Sequence, residues 1–227
     1  MPSYTPEDRT RVFAIYRDVI RPVHAGMMQH YGVPDAPGAD AMSIAALYQE
    51  SKGRTRDQGS DNVLGPAVGF WQFEKNGGVA EILEARQTKD IATALCASVG
   101  VTAQRDPVWR LFATAAGDDL AAAFARLLLW KDPRALPPVI PASGPAAYDY
   151  YMDNWRPGAK RPQDWPTSWE IAVDLVTEVR NSPTAPRPDV TAPPAPAAPA
   201  DLAAQVAKLQ ADVDALKAMF TQYGARR

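Results

Sequence analysis

In the first 20 residues of the chain, apolar residues recur every three to four positions, which is the spacing of one face of a helix. Thr5 can act as an N-cap, Pro6 suits the first turn and Glu7 complements the helix dipole. The apolar stripe that follows comprises Val12, Ile15, Tyr16, Val19 and Ile20. Such spacing, at about 3.6 residues per turn, predicts an amphipathic helix. Pro22 is expected to kink or divide it, and its continuation ends at Gly32–Pro34.

The same spacing predicts further helices. One runs from about Asp40 to Ser51 and is stopped by Gly53, which leaves Glu50 in its last turn. Others are expected near residues 78–86, 88–98, 106–116 and 118–131. A capping box at 167–170 (Thr-Ser-Trp-Glu) predicts the start of a last helix. Because alternating strand patterns are weak, with room for a small hairpin between 54 and 75, the predicted fold class is all-α or nearly so.

The composition changes abruptly after Asn181. Between residues 182 and 200, prolines alternate with alanine and threonine, a composition that buries nothing and favours extended polyproline II. At about 3.1 Å per residue, the segment predicts a stiff spacer up to ~50 Å long. A proline-rich ligand for a recognition domain is the alternative. The sequence therefore predicts a helical domain at 1–181, a linker at 182–200 and a terminal helix at 201–227.

The terminal segment carries a heptad repeat. Its apolar positions are Leu202, Val206, Leu209, Val213, Leu216, Phe220 and Tyr223. Valine at the a positions with leucine at d favours a parallel two-stranded coiled coil. The alternative is a single amphipathic helix that docks on its own domain or on a partner. We therefore expect residues 201–223 to mediate either homo-oligomer formation or binding to another protein.

Charge and cysteine content exclude several classes of function. Lys and Arg total 24 against 26 Asp and Glu, for a net charge of -2, so no basic surplus points to nucleic acid as a partner. The one cysteine, Cys96, lies in an apolar stretch and predicts a buried thiol. His24 and His30 lie six residues apart, a spacing that does not place them on one helical face. We expect no metal site and no cofactor.

The chain also lacks the patterns of secretion and membrane insertion. Its first ten residues contain no apolar core, and no stretch approaches the ~20 apolar residues that a membrane helix requires. We expect a protein made in a cytoplasm without a signal peptide and without a membrane partner. Any action outside that compartment would require another agent to carry it there.

Two short motifs between Ala45 and Glu74 suggest chemistry. Gln49-Glu50-Ser51 stands near the end of a predicted helix, and after a polar loop the segment 65–73 reads Gly-Pro-Ala-Val-Gly-Phe-Trp-Gln-Phe. The first resembles the catalytic motif of soluble lytic transglycosylases and goose-type lysozymes. The second resembles that lysozyme-like superfamily's Gly-Ala-x-Gly-Leu-Met-Gln-type turn. The resemblance covers about 30 of 227 residues, and the two motifs in this order and spacing are moderately specific.

A glutamate at this position suits the cleavage of a glycosidic bond. The departing oxygen needs a proton, and a carboxyl supplies it near neutrality only if burial raises its pKa. The negative end of the helix dipole acts in the same direction on Glu50. The resemblance implies that Glu50 acts first as acid and then as base, while the muramic 6-hydroxyl attacks and leaves a 1,6-anhydro sugar. A lysozyme would need a second carboxylate, for which Asp57, Asp61 and Glu74 are candidates.

The resemblance also implies substrate-binding residues. Gln72 matches the family glutamine that lines the sugar cleft, and Ser51 completes the first motif. Trp71 could supply an apolar wall, and Tyr148 falls in Ala147-Tyr148-Asp149, a loose match to a late Ala-Tyr-Asn-type motif. Each has a structural alternative. Glu50 could be a solvated residue paired with a neighbouring cation, and the aromatic residues could simply pack in the core.

Two functions therefore compete. One is a phage endolysin or virion-borne enzyme that cleaves the glycan strands of peptidoglycan. The other is a phage virion or tail protein whose lysozyme-like domain only binds, with the coiled coil used for assembly. Residues 65–67 (Gly-Pro-Ala) followed by 70–74 (Phe-Trp-Gln-Phe-Glu), with the later segment 154–158 (Asn-Trp-Arg-Pro-Gly), resemble phage-encoded proteins of similar length, which favours a phage origin. We expect synthesis in the bacterial host cytoplasm, followed by incorporation into the virion or release to the periplasm.

Overall fold

The computed structural model describes residues 2–57, 59 and 64–181. The linker 182–200, the heptad repeat within 201–227 and Asp61 lie outside the described residues, so their predictions stand as sequence predictions. The prediction of a largely helical chain is confirmed. The helices are α1 (Pro6–Ile15), α2 (Arg21–Tyr31), α3 (Pro37–Ser51), α4 (Ala80–Glu84), α5 (Lys89–Ser98), α6 (Arg105–Phe112), α7 (Asp118–Trp130), α8 (Gly144–Trp155) and α9 (Trp165–Asn181).

A two-stranded antiparallel hairpin interrupts the helices between α3 and α4. Strand β1 (Ala67–Val68) pairs with β2 (Phe73–Glu74), and a π-helical turn, Lys75–Val79, leads from β2 into α4. The hairpin lies inside the 54–75 region that the sequence left open for it. Its tight connection, residues 69–72, lies within the second sequence motif, residues 65–73.

Two helix boundaries bear on the predictions. α1 ends at Ile15, and a π-helical turn, Tyr16–Ile20, joins it to α2, which begins at Arg21. The division between the first two helices thus lies directly before Pro22, as expected for a residue that removes a helical hydrogen bond. The capping box at 167–170 lies inside α9, which begins at Trp165. Pro166 suits that earlier start, and the Thr167 hydroxyl accepts a hydrogen bond from Ser3 at 2.9 Å.

Helix α3 forms the centre of the core. Almost all of its side chains are buried, and small ones, including Ala39, Ala45 and Ala46, allow neighbouring helices to approach closely. It packs most extensively on α9 and also on α7 and α8. A helix buried on all faces belongs to a domain interior. The C-terminal end of α3, where Glu50 lies, is therefore close to the centre of the domain.

A buried polar network holds the other end of α3. The Asp40 carboxylate is fully buried and accepts hydrogen bonds from Tyr16 (2.9 Å), His24 Nδ1 (2.7 Å), Arg21 (3.1 Å) and Arg180 (2.8 Å). Burial alone would raise the pKa of Asp40. The hydrogen bond from His24 and the charges of both guanidinium groups outweigh it and hold this pKa well below its usual range. One carboxylate thus links α2, α3 and α9.

Candidate active site

Glu50 is the penultimate residue of α3, and the backbone turns sharply after it. Lys52 caps the helix with φ 54°, and Gly53 follows with φ 65°. A Cβ at Gly53 would lie 2.8 Å from Ile15 Cδ1, and the left-handed backbone at this position also favours glycine. This turn ends the helix at Ser51. The Glu50 side chain is therefore partly buried at the edge of the hydrophobic core.

The two sequence motifs meet in space through Ser51. Its hydroxyl donates to the Phe70 carbonyl at 2.7 Å and accepts from the Gly53 N–H at 3.1 Å. The Gly69 N–H donates to the Arg56 carbonyl at 2.7 Å, which secures the same turn from its other side. Because Ser51 is buried and its hydroxyl joins α3 to the hairpin, it lies outside the lining of the cleft beside Glu50, contrary to the substrate-binding role expected for it. Its role is to position Glu50 relative to the hairpin.

A cleft of about 570 Å³ opens beside Glu50. Its walls are the end of α3, the hairpin with the turn that follows it, α4, and the end of α8 with the loop up to residue 161. Its polar lining includes Glu50, Gln72, Glu74, Glu81, Arg156 and Arg161. Carboxylic acids, an amide and guanidinium groups therefore share one concave surface, the usual form of a site for a polar ligand.

Glu50 is held by one hydrogen bond and perturbed by its surroundings. The Tyr151 hydroxyl donates to Glu50 Oε1 at 2.5 Å. Burial is the largest effect and raises the pKa of Glu50, and the nearby negative charge of Glu74 adds to the rise. The hydrogen bond from Tyr151 and the charge of Arg161 oppose it without cancelling it. Glu50 therefore retains its proton to a higher pH than a solvated glutamate, which is the requirement for a general acid.

The sequence alternative of a solvated Glu50 does not hold. Arg54 forms its ion pair with Asp8 at 2.9 Å, and the Lys52 ammonium lies 5.8 Å from the centre of the Tyr48 ring. The neighbouring cations thus have other partners, and the partner of Glu50 is a tyrosine from a distant part of the chain.

Tyr151 is fixed in place by aromatic stacking. Its ring lies between those of Trp165 (centroids 4.8 Å apart) and Trp155 (5.9 Å), both nearly parallel to it. Burial, followed by the charge of Glu50, raises the pKa of Tyr151 well above its ordinary value. The hydroxyl therefore remains a hydrogen-bond donor to Glu50 throughout the physiological range.

Tyr148, which the sequence analysis assigned to this site, lies elsewhere. It stands one turn earlier on α8 and lines a different cleft, together with Pro145 and Trp165. Sequence reasoning missed Tyr151 because it did not predict α8. The signal was present, since Ala147, Tyr151 and Asn154 recur at helical spacing and all are buried.

Gln72 lines the cleft beside Glu50 in a strained backbone conformation. Its φ is 49°, and it is one of three non-glycine residues of the described chain with positive φ. Arg156, a second of the three, lines the same cleft. A strained backbone conformation costs about 1–3 kcal/mol per residue, and residues with such conformations cluster at functional sites. The side-chain carbonyl of Gln72 and the indole N–H of Trp155 are both buried beside the cleft without a hydrogen-bond partner among the described residues.

Two other sequence assignments change. Trp71 is fully buried, and its indole N–H donates to the Ser43 carbonyl at 2.9 Å, so it packs in the core and does not line the cleft. The Asp57 carboxylate accepts from the N–H groups of Gly59 and Gly65, both at 2.8 Å. It thereby draws together the two ends of the polar loop and does not line the cleft. Of the three predicted second carboxylates, Glu74 is the one that the described structure brings to Glu50.

The sequence analysis also missed a further carboxylate and two cations. Glu81 of α4 lines the cleft and forms an ion pair with Lys131 at 2.6 Å. Arg156, which caps α8, and Arg161 from the segment after it also line the cleft, whereas the sequence motif 154–158 indicates only a phage origin. These residues are remote from Glu50 in sequence and share no local pattern with it, so spacing alone did not reveal them.

Replacing Tyr151 with phenylalanine should raise the pKa of Glu50 further. The hydroxyl stabilises the charged carboxylate, and its removal favours the protonated form while the ring stack remains. The pKa is measured by carbon NMR titration of the glutamate carboxyls, with the Glu50 signal assigned from Glu50→Gln. Tyr148→Phe is the matched control and should leave that titration unchanged. A lower pKa in Tyr151→Phe would contradict the assignment.

Comparison with known proteins finds no match to this chain among family models, curated proteins or solved structures. Within residues 2–57, 59 and 64–181, no group of three or more His, Cys, Asp or Glu side chains could hold a metal ion. In the same part of the chain, no helix is long and apolar enough to cross a bilayer. The chemistry of the Glu50 cleft is therefore the basis for assigning a function.

Proposed function

We propose that this protein cleaves the glycan strands of peptidoglycan, with Glu50 as the acid that protonates the departing glycosidic oxygen. The observation that carries the proposal is the placement of Glu50, which opens into a polar cleft and accepts a hydrogen bond from a buried tyrosine, while its partial burial raises its pKa. The lysozyme-like resemblance of the residues around Glu50 and Gln72 supports the choice of substrate. General acid catalysis by such a group contributes typically about 10²–10⁴-fold to a rate.

The hydrogen bond from Tyr151 defines which oxygen of Glu50 carries the proton. Because Oε1 accepts from the tyrosine, the acidic proton resides on Oε2. That proton passes to the glycosidic oxygen as the bond between this oxygen and the sugar carbon breaks, with the bonding electrons going to the oxygen. The sugar carbon then gains positive charge. Attack by water or by the sugar's own 6-hydroxyl completes the reaction, and the Glu50 carboxylate takes up the proton of the attacking group.

Glu74 affects this reaction through its charge. Its carboxylate favours the protonated form of Glu50, so Glu74→Gln should lower the pKa of Glu50 and move the upper pH limit of activity to lower pH. The measurement is the pH profile of kcat/KM. If Glu74 also acts as the second carboxylate of a hydrolase, kcat falls by about 10²-fold or more in addition. An unchanged upper limit would contradict the electrostatic role.

The proposal is tested with purified sacculi and product analysis. Release of labelled fragments shows cleavage, and mass spectrometry separates the two chemistries, because a 1,6-anhydro end is one water lighter than a reducing end. A protein that binds sacculi of several chemotypes and leaves all of them intact would be the non-catalytic virion component instead. Origin in a phage and assembly through residues 201–223 are part of the proposal and rest on the sequence.

A further inference from the structure

Arg156 occupies an unusual backbone position at the edge of the Glu50 cleft. It ends α8 with φ 47°, and its N–H donates to the Met152 carbonyl at 3.1 Å. Glycine is the residue favoured at this left-handed position, and a residue with a Cβ there costs roughly 1–2 kcal/mol. The chain nevertheless places arginine there, which points to a use for the side chain.

The guanidinium group of Arg156 has N–H donors from which no described residue accepts a hydrogen bond. Its Nε donates to the Asp153 carbonyl at 3.2 Å and Nη2 contacts Glu81 Oε1 at 3.3 Å, while Nη1 has no hydrogen-bond partner among the described residues. The side chain is 66% exposed. Glu81 is already matched more closely by Lys131, at 2.6 Å. The outer edge of the guanidinium therefore remains open to an anion in the cleft.

Arg161 adds a second positive charge to the same wall. One of its Nη2 hydrogens is donated to the Gln49 carbonyl, which anchors the group, and its charge reaches Glu50. Neutral glycans offer no counter-charge to such a wall. Peptidoglycan does, because each muramic residue carries a lactyl group that ends either in a free carboxylate or in a peptide with its own carboxylates.

We propose that Arg156 is a specificity-determining residue that binds a carboxylate of the substrate next to the glycosidic bond cleaved at Glu50. This inference rests on the proposed function and deepens it, because it names the feature that separates peptidoglycan strands from neutral N-acetyl sugars. The guanidinium edge is planar and presents two parallel N–H groups, which match a carboxylate in a bidentate pair. Lysine at this position would retain the charge without that geometry.

The test compares three substrates of matched length: glycan strands with their peptides, strands from which an amidase has removed the peptides, and chitooligosaccharides. We expect Arg156→Gln to raise KM on peptide-bearing strands about ten-fold while kcat stays within about two-fold, since the lost contact is equal in ground and transition states. Arg156→Lys should fall between wild type and Arg156→Gln. Chitooligosaccharide kinetics should not change. If the rise in KM persists on amidase-treated strands, the group that Arg156 binds is the lactyl carboxylate. If the rise disappears on those strands, the group is a carboxylate of the peptide.

Two variants separate binding from a structural role. Arg156→Gly relieves the left-handed strain, so its melting temperature should equal or exceed that of wild type while KM rises as in Arg156→Gln. Arg17→Gln, which removes a similarly exposed arginine outside the cleft, should leave KM unchanged. A KM that Arg156→Gln does not alter, or one raised equally on all three substrates, would overturn the proposal.

The failure of this inference can be told apart from that of the proposed function. Affinities for the same three ligands are measured by calorimetry in the Glu50→Gln background, which does not consume them. If wild type cleaves peptidoglycan and chitooligosaccharides with equal KM, only the role of Arg156 is wrong. If the protein neither cleaves nor binds any of the three, both are wrong.

Discussion

Glu50→Gln should reduce the cleavage of peptidoglycan by about 10²–10⁴-fold while leaving the fold intact. The amide has the same size, and its carbonyl oxygen still accepts the hydrogen bond from Tyr151. It has no proton that it can transfer to a leaving oxygen. The rate is measured as release of soluble fragments from labelled sacculi, and the melting temperature is measured in parallel.

The matched control is Glu84→Gln, which changes an exposed glutamate of α4 whose partner is Arg105. Its activity and its melting temperature should both stay at the wild-type values. Glu50 would lose its assigned role if Glu50→Gln retained more than about a tenth of the wild-type rate, because the loss of a general acid is larger than that.

The pKa of Glu50 also predicts how this variant responds to pH. Because the pKa is raised in the folded protein, the wild type gradually loses stability as pH rises from the ordinary glutamate pKa through the raised value. Glu50→Gln does not titrate and lacks this loss. Its melting temperature relative to wild type should therefore increase with pH over that interval. Activity of the wild type should decline over the same interval, since the acid must be protonated.

Asp40→Ala should produce the largest loss of stability. It removes the buried one of the two carboxylates that the partly buried Arg21 and Arg180 share, leaving them only Asp35, and it removes the partner of the fully buried His24. Breaking a buried ion pair in this way costs about 3–5 kcal/mol. For a domain of this size, the melting temperature should fall by roughly 10 °C. Asp90→Ala, an exposed aspartate of α5, is the control and should have little effect.

The contribution of Asp40 should depend on pH with the opposite sign to that of Glu50. Its pKa is lowered in the folded state, so its stabilising effect is fully present above the ordinary aspartate pKa of about 4. It is lost as pH falls from there toward the lower folded value. The difference in unfolding free energy between wild type and Asp40→Asn should therefore shrink as the pH is lowered from about 5. A difference that grew on acidification would contradict the network.

Local sequence pattern predicted the strongly periodic helices well. The segments that became α3 and α7 were expected within a few residues of their observed bounds, because each carries a continuous apolar pattern and a stop or cap signal. Helix α8 was missed because it begins with Gly-Pro and carries its buried face on tyrosine and asparagine. The capping box was misplaced because Pro166 allowed α9 to start two residues earlier.

The sequence by itself determined the helical class and the position of Glu50 at the end of a helix, since helical periodicity and glycine turns act over a few neighbouring residues. It also identified Gln72 and Glu74 as candidate site residues, because Gln72 lies within the second motif, residues 65–73, and Glu74 directly follows it. Tertiary structure decided the chemistry of the site. The partner of Glu50 is Tyr151, 101 residues away, and the raised pKa depends on burial and on charges brought in by other elements. Burial and Coulomb interactions depend on distance in space, whatever the separation along the chain, so they became visible only once the chain was folded.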